Sequence, residues 1–157
     1  MGNTIMIPRN INFEDMQIAI NEQNKGAGNM HSQAHDNAYA NKSCIIINTL
    51  EPHNQHCLIS GTLNINSEVE MINVFLKKNK NICVIIYGVN AADSTTLKKY
   101  EQLVKLGFYN THIYAGGLFE WLLLQDVYGM DLFPTTSKVV DILKYKGRQY
   151  MNVKMLE

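Results

Sequence analysis

Cysteine is scarce in this sequence. It occurs 3 times in 157 residues, at positions 44, 57 and 83. An odd number without CxxC spacing excludes a disulfide framework and the common zinc patterns, and two of the three abut apolar strand patterns, so reduced buried thiols are expected. Net charge is also lacking. Lys+Arg and Asp+Glu balance at 14 each, which leaves no overall field to attract nucleic acid or an anionic membrane. No apolar run approaches the roughly 20 residues that cross a bilayer, and the first residues carry neither the basic nor the apolar region of a secretory signal. The chain is therefore expected to be intracellular and cytoplasmic, with no transmembrane segment. GxGxxG and GxxxxGK[ST] are both missing, so no phosphate cradle of the nucleotide-binding kind is present and no cofactor is implied.

What is present is an alternation of strand and helix patterns. "TIMIP" reads as a short strand closed by Pro8. "NFEDMQIAINE" reads as a helix with Asn12 as N-cap, Asp15 three residues on, and an apolar stripe on Phe13, Met16 and Ile20. From 23 to 42 the chain is polar and rich in Gly and Asn, which predicts a long exposed loop. "SCIIIN" and "NICVIIY" are continuous apolar runs, the pattern of strands covered on both faces, as in a parallel sheet. "GTLNI" and "NTHIY" read as further strands, and "SEVEMINVFLKKN", "DSTTLKKYEQLVKLG" and "GLFEWLLLQDVYG" as helices. Ser67 stands near the start of the first of these, and Gly107 supplies a left-handed stop to the second. The chain reads as an α/β domain over residues 1–130, followed by a tail over 131–157. The tail carries Lys and Arg, and its Val139, Val140, Ile142 and Leu143 need apolar cover, so it is expected to wrap over the domain.

Two stretches resemble the signatures of rhodanese-like domains. "CIIINTLEPHNQHCLISGTLNI" is similar to the first, a strand, Asp-Val-Arg, a Glu-Pro turn and His-Ile-Pro-Gly-Ala-Ile-Asn-Ile. Asn48 stands for its Asp and Leu50 for its Arg, while Glu51, Pro52, Ile59, Gly61, Asn64 and Ile65 match. The second signature is a strand ending Tyr-Cys, a Ser six residues after the Cys, Leu-Gly-Phe, then Gly-Gly with a Trp four residues on. Tyr87, Ser94, Leu106, Gly107, Phe108, Gly116, Gly117 and Trp121 stand at those places, and Gly88 stands at the Cys. The likeness runs from Ile5 to Tyr128. It implies a five-stranded, mostly parallel sheet flanked by helices on both faces, with a loop after the fourth strand where active members carry sulfur as a cysteine persulfide.

That loop is Gly88, Val89, Asn90, Ala91, Ala92, Asp93 and Ser94. A loop curling from a strand end into a helix N-terminus turns N–H groups inward and lowers a thiol pKa. Here it holds no thiol, and the resemblance therefore implies no catalytic residue. Asp93 stands where members often carry a basic residue, and with Ser94 it is expected to cap the helix that follows. The phosphatases of related fold need a Cys and, six residues later, an Arg. Those places are Gly88 and Ser94.

Other candidates carry less. His31 and His35, and the cluster His53, His56 and Cys57, match no common zinc spacing, so no metal is expected. "MGNTIM" places Gly2 for N-myristoylation but lacks Ser or Thr at the sixth position. The Gly pair of "AGGLFEW" is read as a strand-to-helix turn. Exposed Leu123, Val127 and Tyr128 would mark an interaction face. The expectation is a rhodanese-like domain without sulfur transfer that binds a protein partner through loop 88–94 and the adjoining tail, with no nucleic acid involved. The competing expectations are a sulfur carrier using Cys57, and a structural subunit of a larger assembly such as a virion or organelle complex.

Overall fold

The computed structural model describes residues 7–27 and 42–151. Gly2, the beginning of the expected first strand, and residues 28–41 with His31 and His35 lie outside the described residues. Four strands, β1 (Arg9–Ile11), β2 (Cys44–Asn48), β3 (Cys83–Tyr87) and β4 (Thr111–Tyr114), alternate with helices α1 (Phe13–Ala27), α2 (Glu68–Lys78), α3 (Thr95–Lys105) and α4 (Gly117–Tyr128). The sheet order is β1-β4-β3-β2, and every pairing is parallel.

The unbroken apolar runs of β2 and β3 are explained by burial on both sides. Ile46 and Cys44 of β2 with Ile85 and Tyr87 of β3 face one layer, made by Met16, Ala19 and Ile20 of α1 and Leu118, Trp121 and Leu122 of α4. Ile45, Ile47, Val84 and Ile86 face the other, made by Met71, Ile72 and Phe75 of α2 and Tyr100, Leu103 and Val104 of α3. Side chains alternate across a strand, so a strand between two helical layers needs apolar residues at every position.

Capping follows the sequence at two helix ends. Asn12 and Asp15 cap α1 reciprocally, each backbone N–H bonded to the other's side-chain oxygen at 3.1 Å. At the end of α3, the Phe108 N–H reaches Leu103 O at 3.1 Å and the Gly107 N–H reaches Val104 O at 2.9 Å.

Three expectations change. The sheet has four strands among the described residues, not five, because "GTLNI" contributes a single rung. Thr62 pairs with Ile46 and the Leu63 N–H bonds Ile46 O at 2.8 Å, but tight turns on both sides take the chain away from the sheet. Among the described residues the first strand is Arg9–Ile11, so pairing with β4 runs beyond Pro8 rather than being closed by it. Finally, α1 continues to Ala27, into the expected loop. Gln23 Nε2 donates to Cys44 O at 2.9 Å and Lys25 pairs with Glu22 at 2.9 Å, so contacts to the sheet and within the helix carry it past its apolar stripe.

The segment after α4 packs onto the first layer. Phe133 and Tyr145 are buried in it, and Phe133 meets Trp121 edge-on with ring centroids 5.0 Å apart. The Trp121 indole donates to Pro134 O at 3.2 Å and the Thr136 N–H to Leu58 O at 2.8 Å. A short 3-10 turn, Ile142–Tyr145, then brings the chain to the C-terminal edge of the sheet.

Candidate functional site

In an open parallel sheet the crevice outside the carboxyl ends of the strands is where ligands bind. Here it is formed by the loop after β3. Gly88 is buried, and its carbonyl accepts the Leu118 N–H at 2.9 Å while Val89 O accepts the Phe119 N–H at 2.8 Å. The start of α4 is thus bonded directly to the loop. Gly117 permits this approach. It has φ +68°, and a Cβ there would lie 2.8 Å from Gly88 O and 3.0 Å from Asn90 N.

The interior of the loop is filled by its own carboxylate. Asp93 Oδ2 accepts the Val89 N–H at 3.0 Å, and Oδ1 accepts the Thr95 N–H at 3.0 Å and the Thr95 hydroxyl at 2.6 Å. Asp93 caps α3, whereas the Ser94 hydroxyl makes no cap bond, which corrects the shared role expected for the two. A Cβ built on Gly88 would run into Asp93 Oδ2, and would lie 2.9 Å from Asp93 Cγ and 3.0 Å from Thr96 Cγ2. The space a side chain at 88 would enter is occupied.

Asn90 ties the loop to the tail. Its Oδ1 accepts the Ala92 N–H at 3.0 Å, and its Nδ2 donates to Tyr145 O at 3.0 Å. Beyond Tyr145 the tail walls an open cleft of about 400 Å³, with Thr49, Glu51 and Thr95 on one side and Lys146, Arg148 and Tyr150 on the other. Arg148 lies over the Tyr150 ring, 5.8 Å from its centroid. The two cations were not singled out by sequence; the signal available was the basic run that follows the apolar residues of the tail.

The residues matching the first signature stand behind this cleft. Asn48 and Gln55 pair their amides, with Gln55 Nε2 donating to Asn48 Oδ1 at 2.7 Å, and Asn48 Oδ1 also accepts the Leu50 N–H at 3.0 Å. Leu50 is buried, so the place held by Arg in the signature adds no charge to the site. Tyr87 is wholly buried. Its hydroxyl accepts the Ile59 N–H and bonds Thr62 Oγ1 at 2.7 Å, and burial pushes its pKa above the ordinary value.

The remaining candidates are scattered. His56 Nδ1 lies 3.1 Å from His53 O, Cys57 is buried with its thiol donating to Ser137 O at 3.4 Å, and no group of three potential metal ligands occurs among the described residues. Leu123, Val127 and Tyr128 are exposed on α4. No helix among the described residues is long and apolar enough to cross a membrane.

The comparison with curated proteins finds no match. Among solved structures, the BH2092 protein of Bacillus halodurans is similar with a TM-score of 0.52 at 16% identity, covering 78% of this chain and 74% of that one. A single-domain sulfurtransferase of Saccharomyces cerevisiae is 24% identical over 83% of this chain and 99% of that one, with a TM-score of 0.46. The rhodanese-like domain profile matches residues 26–124, which span the loop after β3, its packing against the start of α4, and most of the sheet. The chain belongs to the rhodanese-like domain family.

Proposed function

We propose that this rhodanese-like domain transfers no sulfur and works as a protein-binding module, its binding surface being the loop Gly88 to Ser94 together with the tail that crosses it. The reading is carried by the Asp93 carboxylate, which accepts the Val89 N–H of the loop and the Thr95 N–H at the start of α3, beside the position where a nucleophile at 88 would project. A persulfide needs that position to carry a thiol and those N–H groups to be available to an anion. Cys57 is a poor substitute, being wholly buried and hydrogen-bonded to the tail.

The cleft suits a polypeptide better than a small anionic sulfur donor. Glu51 and Asp93 contribute negative charge, Lys146 and Arg148 positive charge, and Tyr150 an exposed ring. In this reading the tail is part of the working domain.

The test has two parts. Wild-type protein should move no sulfur from thiosulfate to cyanide, and activity abolished by alkylating Cys57 would overturn the proposal. A partner retained from native cells by the wild-type chain should be lost on combining Lys146→Glu with Arg148→Glu. Retention by that folded double variant would remove the tail from the binding surface.

A further inference from the structure

At the opposite edge of the sheet from the cleft, β2 and β3 each begin with a cysteine. The register pairs Cys44 directly with Cys83, and both side chains face the layer formed by α1 and α4. Their sulfurs lie 2.8 Å apart, inside van der Waals contact, and both cysteines are free thiols. Adjacent strands run about 4.8 Å apart, within the roughly 4.4–6.8 Å Cα separation of disulfides. Joining the sulfurs requires them to close by less than about 1 Å, to a bond of about 2.05 Å. Strand pairing has already aligned the two side chains.

We propose that Cys44 and Cys83 form a redox-modification site, closing reversibly to a disulfide across β2 and β3 by exchange with a low-molecular-weight disulfide.

The two thiols have unequal roles. Cys44 is buried while Cys83 is only partly so, which makes Cys83 the reachable partner. The Cys44 thiol donates to Cys83 Sγ, and this bond holds the Cys83 pKa below the ordinary value against the opposing effect of burial. The same bond, with burial, pushes Cys44 up. In the first step the Cys83 thiolate attacks one sulfur of the small disulfide RSSR, forming the mixed disulfide and expelling RS⁻. Cys83 is then no longer an anion, so its contribution to the raised Cys44 pKa is gone. Cys44 loses its proton, attacks Cys83 Sγ and expels the second RS⁻, which takes up a proton. The balance is one protein dithiol and one RSSR consumed, and one protein disulfide and two RSH formed. Cys57 takes no part, because its thiol is turned to Ser137 O.

The bond would link residues 39 positions apart in the chain. Closing a loop of that size restricts the unfolded ensemble and should raise the thermal midpoint by about 10 °C.

The experiment exposes the full chain to glutathione disulfide, then denatures it, alkylates the remaining thiols and maps the peptides. A Cys44–Cys83 linked peptide is expected, with Cys57 alkylated, the thermal midpoint raised, and the change reversed by dithiothreitol. In Cys44→Ser the reaction should stop at a glutathione adduct on Cys83. The proposal is overturned if wild-type Cys44 and Cys83 both stay alkylatable, if the adduct on Cys83 persists in wild type, or if the linked peptide contains Cys57. Should Cys44→Ser fail to fold, the wild-type map decides alone.

Discussion

Replacing Gly88 by cysteine asks whether Asp93 occupies the place of a nucleophile. The new Cβ would collide with Asp93 Oδ2 and approach Asp93 Cγ to 2.9 Å, so the carboxylate must move out of the loop. Its departure leaves the Val89 N–H without an acceptor, a cost of about 1–3 kcal/mol for a partly buried donor. It also removes the bond to the Thr95 N–H that starts α3, a further cost of about 1 kcal/mol. Gly88→Cys alone should therefore lose about 2–4 kcal/mol, or about 5–15 °C in thermal midpoint. The displaced carboxylate stays near the thiol and opposes its ionisation.

Combining Gly88→Cys with Asp93→Ala removes both the collision and the opposing charge. The freed N–H groups and the α3 dipole then face the sulfur, and its pKa should fall below the usual value of about 8.5. The assay is the rate of iodoacetamide alkylation against pH, read at the new thiol by peptide fragmentation, which separates it from Cys83 in the same stretch of chain, with thermal unfolding alongside. A single variant that keeps the wild-type midpoint and already has a depressed thiol pKa would refute the reasoning, because Asp93 would then not fill the space. An undepressed thiol in the double variant would show that the loop does not act as an anion cradle.

Three further outcomes follow from the same structure. Phe133→Ala should cost about 3–5 kcal/mol in denaturant unfolding, because the ring is buried against Trp121; a loss below about 1 kcal/mol would mean that the tail is not docked there. Gly117→Ala should cost more than about 2 kcal/mol, since the added methyl meets backbone atoms of the loop at a positive φ; a neutral effect would refute that close packing. His112 has its pKa lowered by burial and by Arg9, against an opposing pull from Asp15. The unfolded chain therefore binds the proton more readily, and the stability owed to neutral His112 is present above about pH 6.5 and lost as pH falls through the lower folded value. Urea unfolding midpoints followed from pH 7.5 downward should fall less steeply in His112→Gln than in wild type, and parallel curves would remove His112 from the account.

By itself the sequence determined the layering. The runs from Cys44 to Ile47 and from Cys83 to Tyr87 are apolar without a break, which is the pattern of a strand covered by helices on both faces. Asn12 with Asp15, and Gly107 before Phe108, are local signals whose hydrogen bonds close within one helical turn, so the ends of α1 and α3 could be read from neighbours in the chain. "GTLNI" alternates like a strand but makes one rung, because the turns around it and its distance from β2 are not encoded in the alternation. The extension of α1 rests on Gln23 reaching Cys44 O, a contact between residues 21 positions apart. The site divides in the same way. That loop 88–94 contains no thiol is plain from the letters. That Asp93 turns back onto the Val89 N–H, that Tyr145 brings Lys146 and Arg148 to the cleft, and that Cys44 meets Cys83 were decided by the tertiary structure. Each depends on strand register or on burial between distant residues, and neither periodicity nor capping reports on those.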